Sequence, residues 1–226
     1  LLDDPATKEL YSHDASLFEV KPQLVVCPKN ADDVQKLVGL VAESKKKMPE
    51  LSVTARSAGT DMSGGAVNES VIVDFNKHFT RIESVSPKEA HAQPGVFYRN
   101  FEQATIKHSA IMPSYPASRD LCTIGGMVAN NSGGEKSLEY GKTKDFVNEL
   151  RVVFADGKEY AVKPLTKQQL VAKMSQGDYE GKLYKKLFEL IEKHYDTIKA
   201  ARPNVSKNSM GYNLWDVWDR EKGVFD

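Results

Sequence analysis

Arg56-Ser57-Ala58-Gly59-Thr60-Asp61-Met62-Ser63-Gly64-Gly65 lies between two apolar runs, Leu51 to Ala55 and Val71-Ile72-Val73-Asp74-Phe75. The stretch is too long for a tight hairpin and too small in its side chains for a core element. Such a loop can turn successive backbone N–H groups toward one point and form an anion nest, while glycine admits positive φ and close backbone approach. Thr60 and Ser63 would add hydroxyl donors. Read alone, the loop serves equally well as a structural turn. It is not a Walker loop, because no Gly-Lys-Ser/Thr follows, and it lacks the Gly-x-Gly-x-x-Gly spacing of a Rossmann turn.

Upstream, Leu24-Val25-Val26-Cys27-Pro28 reads as a strand, and Asn30 with Asp33 three residues on reads as a helix start. Val34, Leu37, Val38 and Val41 continue at helical spacing to about Ser44, and Lys45-Lys46-Lys47 suits a solvated helix end. The order strand, helix, strand predicts a right-handed parallel crossover that leaves the glycine loop at the carboxyl end of the second strand, the edge where ligands bind. Downstream, Arg81–Val85 and Glu89–Gln93 predict a hairpin, Val96–Lys107 a helix, and Leu150–Phe154 with Glu159–Val162 a second hairpin turning at Asp156-Gly157. Leu183, Leu187, Leu190 and Ile191 mark one more amphipathic helix. Helices interspersed with hairpins argue for an α+β fold.

A second stretch, Pro113 to Gly134, is long, small and polar, with no amphipathic periodicity. A solvent-exposed loop is one reading; backbone lying against a flat, extended ligand is the other. Lys plus Arg equals Asp plus Glu at 31 each in 226 residues, which gives no global field for nucleic acid. Cys27 and Cys122 are too few for a disulfide framework and have no metal-ligand spacing, and they are expected to be packing residues in a cytoplasmic protein. His13, His78, His91, His108 and His194 are likewise scattered, so no metal is expected. No apolar run reaches the roughly 20 residues of a membrane span, although peripheral membrane attachment stays open.

The ordered pieces Arg-Ser-Ala-Gly-Thr (56 to 60), Gln-Pro-Gly-Val (93 to 96), Pro-Ala-Ser (116 to 118), Thr-Ile-Gly-Gly-Met (123 to 127), Asn-Asn-Ser-Gly-Gly (130 to 134) and Tyr-Gly-Lys-Thr (140 to 143) resemble the PCMH-type FAD-binding domain of the p-cresol methylhydroxylase and vanillyl-alcohol oxidase superfamily. The likeness is to its glycolate oxidase and D-lactate dehydrogenase branch. Tyr11-Ser12-x-Asp14-Ala15-Ser16 and Lys207-Asn208-Ser209-Met210-Gly211-Tyr212-Asn213-Leu214 fit that branch too. The resemblance implies a small parallel lobe (1–78) and a larger, mainly antiparallel lobe (79–226) that bind FAD together.

On the same resemblance, Arg56, Ser57, Ala58, Gly59, Thr60, Asp61, Ser63, Gly64 and Gly65 wrap the pyrophosphate. Pro94, Gly95, Pro116, Ala117, Ser118, Thr123, Ile124, Gly125, Gly126, Asn130, Gly133 and Tyr140 line the rest of the cofactor. Ser57 departs from the glycine often found there. Some relatives attach flavin covalently through a His where this chain has Thr60, or through a Cys where it has Leu121, with Cys122 one residue off; noncovalent FAD is therefore expected. The implied reaction is oxidation of a D-2-hydroxy acid with hydride passing to FAD and then to an external acceptor. The alternatives are a superfamily member with another substrate or a non-catalytic FAD-binding module. The chain lacks an initiator Met and stops before a Gly-Ser-Glu-Gly-Thr-Leu-Gly type motif and a substrate-binding cap. It is therefore expected to be a piece that is inactive alone, and no catalytic residue is assigned within it.

Overall fold

A computed structural model describes residues 1–205, 208–209 and 211–226. Lys207 and Met210 of the motif expected at 207–214 lie outside the described residues. The chain divides into two compact units, Leu1–Val147 with Val153–Glu159, and Asn148–Val152 with Tyr160–Asp226.

In the first unit, helix α1 (Pro5–Leu10) is capped by Asp4, whose carboxylate accepts from Thr7 N–H at 2.9 Å. Strand β1 (Leu24–Val26) leads to helix α2 (Ala31–Ser44), where Asn30 accepts from Asp33 N–H and Asp33 accepts from Lys29 N–H, each at 2.9 Å. The Asn30 cap is the one the sequence predicts, with Asp33 reaching back one residue further, to Lys29. Lys45 to Lys47 are exposed beyond the helix end. Strand β2 (Val53–Arg56) ends at the glycine loop and strand β3 (Val71–Asp74) follows it.

The sheet order is β1-β3-β2, all parallel, with Val25 and Thr54 both opposite Ile72. The first two strands are parallel, as expected, and the strand after the loop enters between them, so β1 and β2 do not pair directly. The reason is legible in burial: all four residues of β3 are buried and Ile72 is fully so, whereas β1 and β2 are only partly covered. A continuous apolar run belongs at the centre of a parallel sheet.

Strands β4 (Ile82–Val85) and β5 (Ala90–Ala92) form the expected hairpin, with a bulge between Ile82 and Ser84. Helix α3 (Tyr98–Ile106) follows, with Tyr98 and Phe101 packed among Val96, Tyr115, Cys122 and Met127. A short helix α4 (Ile124–Ala129) occupies part of the stretch that periodicity reads as loop. Two glycines in six residues oppose it by roughly 1 kcal/mol each. It forms because Met127 is fully buried, Thr123 accepts from Gly126 N–H, and Gly125 N–H donates to Pro94 O at 2.8 Å. Helix α5 (Ser137–Tyr140) and a 3-10 turn (Thr143–Phe146) close the segment. The Asp156-Gly157 turn rests on α2, where a Cβ at Gly157 would lie 3.0 Å from the Gly39 Cα.

The second unit contains the stems of hairpin β6 (Leu150–Val153) and β7 (Glu159–Val162), then strand β8 (Leu165–Thr166) and helix α6 (Lys167–Met174). Helices α7 (Tyr179–Lys193), α8 (Tyr195–Ala200) and α9 (Leu214–Val217) precede strands β9 (Trp218–Asp219) and β10 (Val224–Phe225), which join β8 in the order β8-β10-β9. The buried face of α7 keeps Ile191 and Leu187 of the expected set, adds Tyr184 and Phe188, and leaves out Leu190. Tyr184 and Ile191 are buried, Leu187 and Phe188 pack beside them, and Leu190 is half exposed. Trp218 and Phe225 supply the opposite wall, so aromatic partners select Tyr184 and Phe188 over Leu190.

Ile72 is the centre of the parallel sheet, and deleting a buried aliphatic side chain there costs about 2–5 kcal/mol. Ile72→Ala is expected to lower the urea midpoint accordingly, whereas Leu40→Ala, at an exposed position of α2, leaves it nearly unchanged.

Candidate functional site

The loop leaving β2 presents a row of open backbone donors. Among the described residues, none accepts from the N–H groups of Ser57, Ala58, Gly59, Thr60, Asp61, Met62 or Gly64. Residues 57–61 are half-buried, so these donors sit in a partly dry cradle. Gly59 and Gly64 adopt φ of +68° and +83°, the left-handed conformation that turns the chain here. Asp61 does not face the cradle: its carboxylate accepts from Ser63 N–H and Gly65 N–H, the latter at 2.6 Å, and closes the far end of the loop. Ser63 hydroxyl also donates to Asp61. Asn68 fixes the return strand by donating to Thr54 Oγ1 at 2.8 Å and accepting from Ser70 N–H at 2.7 Å.

Arg56 also turns away from the cradle. Its guanidinium donates to the carbonyls of His13 at 2.6 Å, Ala66 at 3.2 Å and Tyr11 at 3.5 Å, and it lies over the Tyr11 ring. Burial lowers its pKa below the usual arginine range, opposed by Tyr11, Asp14 and Asp74. Tyr11 hydroxyl donates to the buried Asp74 carboxylate at the end of β3, and burial followed by that hydrogen bond raises the phenol's pKa.

The second glycine segment closes against the first. An added Cβ at Gly126 would lie 3.4 Å from Ser57 Cβ, and one at Gly125 would lie 2.5 Å from Pro94 Cβ and 2.9 Å from Pro94 O. Gly95 N–H donates to Phe79 O at 2.8 Å, and a Cβ at Gly95 would collide with the Phe75 carbonyl. Ser57, Gly126, Gly125, Pro94 and Gly95 therefore form one continuous floor from the carboxyl end of the parallel sheet. Ile124 N–H, on the same turn, donates to Val96 O at 2.9 Å.

Pro116, Ala117 and Ser118 form a turn in which Ser118 O accepts from Leu121 N–H and Cys122 N–H, each at 2.8 Å. Gly134 is pressed onto Tyr115 O, and Gly133 faces Ser137. Asn130 is exposed and donates to Ser132 Oγ at 3.2 Å. Tyr140 is about half exposed, and its hydroxyl engages Glu139, whose hydrogen bond raises its pKa. It shows no contact with the glycine floor.

Two supports were not anticipated from sequence. Glu102, on the buried side of α3, holds Arg119 through both carboxylate oxygens at 2.6 Å, and Arg119 stacks on Tyr115 at 4.6 Å. This pair anchors the 116–122 turn. A buried hydroxyl cluster, Ser114, Ser132 and Thr143, joins the Pro113, Asn130 and Tyr140 segments, with Thr143 donating to Ser132 O at 2.9 Å. A charged residue on the apolar face of α3 was the available signal for the first; nothing in spacing points to the second. Glu9, His13 and Glu19 bring possible metal-ligand atoms within 4.8 Å of one another, but all are exposed and Glu9 already pairs with Lys21 at 2.9 Å.

The cradle of open N–H groups, together with the uncrowded face at Gly126, suits an extended diphosphate ligand. Residues 22–163, more than half of the chain, match the family described as the FAD binding domain. The chain belongs to that family, within the PCMH-type FAD-binding superfamily, and its cofactor is FAD. It is 27% identical over 225 residues to the D-2-hydroxyglutarate dehydrogenase of Pseudomonas putida, covering 99% of this chain and 22% of that protein. It is 31% identical over 159 residues to the glycolate oxidase subunit GlcD of Bacillus subtilis, covering 69% and 33%. The D-lactate dehydrogenase of Archaeoglobus fulgidus is 34% identical over 157 residues, covering 64% and 34%. The chain thus spans about a fifth to a third of these relatives. A solved alkyldihydroxyacetonephosphate synthase shares the fold, with a TM-score of 0.60 and 21% identity over 72% of this chain and 32% of that one.

Removing Arg119 alone strands a mostly buried carboxylate. Arg119→Met is expected to destabilise by about 1–3 kcal/mol, whereas the double change with Glu102→Met recovers most of the loss, because an apolar pair carries no unpaired charge. Urea unfolding of the two variants reads this; equal losses would show that the stranded Glu102 carboxylate is not the source of the cost.

Proposed function

We propose that the chain is the FAD-binding part of an oxidoreductase that oxidises a D-2-hydroxy acid of the D-lactate, glycolate or D-2-hydroxyglutarate type. The observation that carries this is the half-buried row of unpartnered N–H groups at 57–61, set against the Gly125-Gly126 turn. Ser57 to Thr60 and Gly64 would meet the pyrophosphate through N–H and hydroxyl groups, with Ser63 held beside them on the Asp61 carboxylate. Pro94, Gly95, Pro116 to Ser118 and Thr123 to Gly126 would line the remainder, with Gly65, Asn130, Gly133 and Tyr140 at the margin. Bound FAD supplies the acceptor for the hydride lost from the hydroxyl-bearing carbon. This chain's own part is to bind, orient and exclude water.

Noncovalent attachment belongs to the same reading. Thr60 offers no imidazole. Cys122 is buried with its Sγ 3.9 Å from Arg119 O, and burial raises its thiol pKa, leaving a poor nucleophile. The lobe boundary near 78/79 is supported by the parallel sheet lying wholly before it and the antiparallel strands after it. Two free cysteines support a reducing, cytoplasmic setting, and among the described residues no helix is long and apolar enough to cross a membrane. The reading includes an external electron acceptor and no nucleic acid. A second reading, a different substrate on the same cofactor fold, is favoured by the likeness to alkyldihydroxyacetonephosphate synthase.

FAD is expected to raise the melting temperature, by about 2.7 kcal/mol of added stability at a hundredfold excess over Kd, with FMN and NAD far weaker. Acid precipitation should release all the flavin into the supernatant. Equal responses to FAD and FMN would remove the dinucleotide reading, and flavin retained in the pellet would remove the noncovalent one. Anaerobic bleaching of the flavin by D-lactate, D-2-hydroxyglutarate or glycolate in a protein that includes the remainder of the enzyme separates the two substrate readings.

A further inference from the structure

Resting on the FAD reading above, we propose that Arg56 is a positioning residue that props the cofactor loop from beneath without touching the phosphates, and that Tyr11 to Ala15 form the loop's outer brace. Four observations converge. The guanidinium is occupied by the carbonyls of Tyr11, His13 and Ala66, and so reaches both the N-terminal segment and the far stem of the loop. It runs directly under the loop, since a Cβ at Gly59 would fall 2.7 Å from its Nη2 atom. Ala15 N–H donates to Gly59 O at 3.0 Å, which turns that carbonyl outward, away from any anion in the cradle. Asp14 accepts from Ser16 N–H at 2.8 Å, which fixes the same segment, and its carboxylate lies close enough to Arg56 to act on its charge.

The charges agree. Asp14 and the buried Asp74 both act on Arg56, so its positive charge faces carboxylates within the protein. A pyrophosphate above the loop would meet backbone N–H dipoles and little net cation. Arg56 therefore contributes the geometry of its planar fork, which lysine cannot reproduce. In this arrangement the N-terminal segment is part of the cofactor site although it touches no cofactor.

The test compares wild type, Arg56→Lys, Arg56→Met and Asp14→Ala in FAD titrations at low and moderate salt. Propping predicts that both Arg56 variants lose at least about tenfold in affinity, within about twofold of each other, and that wild type and Arg56→Met share the same salt dependence. Asp14→Ala should also weaken binding. Direct phosphate contact predicts the opposite pattern: Arg56→Lys stays close to wild type, Arg56→Met loses salt dependence, and Asp14→Ala, relieved of a negative charge, binds more tightly. That pattern would overturn the proposal. Amide exchange without FAD gives an independent readout, and remains informative where a variant is only partly stable. Arg56→Lys should expose the amide of Ala15, which donates to Gly59 O, while Val71 and Val73 in β3 keep their protection; an unchanged Ala15 would overturn the brace. Failure of wild type to bind FAD would instead strike the functional reading, with the exchange result still deciding the brace.

Discussion

Backbone meeting backbone is the constraint on which the first unit depends. Gly95 lies against the Phe75 carbonyl, Gly125 against Pro94, and Gly134 against Tyr115 O. At each contact a side chain would displace one segment from the next. Phe75 directly follows β3, so these contacts run from the end of the central strand through the Pro94 turn to α4. The tie that matters most is Gly125 N–H to Pro94 O at 2.8 Å. It brings the second glycine segment within reach of Ser57, and without it the two halves of the cradle would have no fixed spacing.

That arrangement explains what could be read in sequence and what could not. The strands, the Asn30 cap and the two hairpins announce themselves through local pattern, because their hydrogen bonds and burial repeat with the chain's own period. The insertion of β3 between β1 and β2 is a non-local choice, set by which apolar run needs cover on both faces. Helix α4 was hidden for a different reason: Ile-Gly-Gly-Met is a poor local helix, and its stability comes from Met127 burial and from the Pro94 contact. On α7, period 3.6 found the helix and placed Leu187 and Ile191 on its buried face but included Leu190 and missed Tyr184 and Phe188, which Trp218 and Phe225, distant in sequence, draw inward.

The site shows the same division. The glycine segments were visible as unusual composition, but nothing in that composition shows which side chains face a ligand. Arg56 and Asp61 look like anion-loop residues in a string of letters. In three dimensions both are used up within the protein, Arg56 on carbonyls and Asp61 on the amides of Ser63 and Gly65. Glu102 and Arg119, seventeen residues apart, look like ordinary surface charges until α3 and the 116–122 turn are packed together.

The polar groups around the cradle are therefore satisfied from within, whereas the cradle's own N–H groups are not. Half-buried donors without partners lose part of their hydration on folding and gain nothing in return, so they reduce the stability of the ligand-free chain. A loop left to itself would relax by turning those amides outward. Here the relaxation is opposed from three sides, by Arg56 beneath, by Asp61 at the far end and by the Gly125-Gly126 turn opposite. The donors stay oriented at the expense of stability, and under the proposed reading a diphosphate would recover that cost on binding. Affinity in such a site comes from preorganised dipoles more than from net charge, which accords with a chain whose charges balance at 31 each.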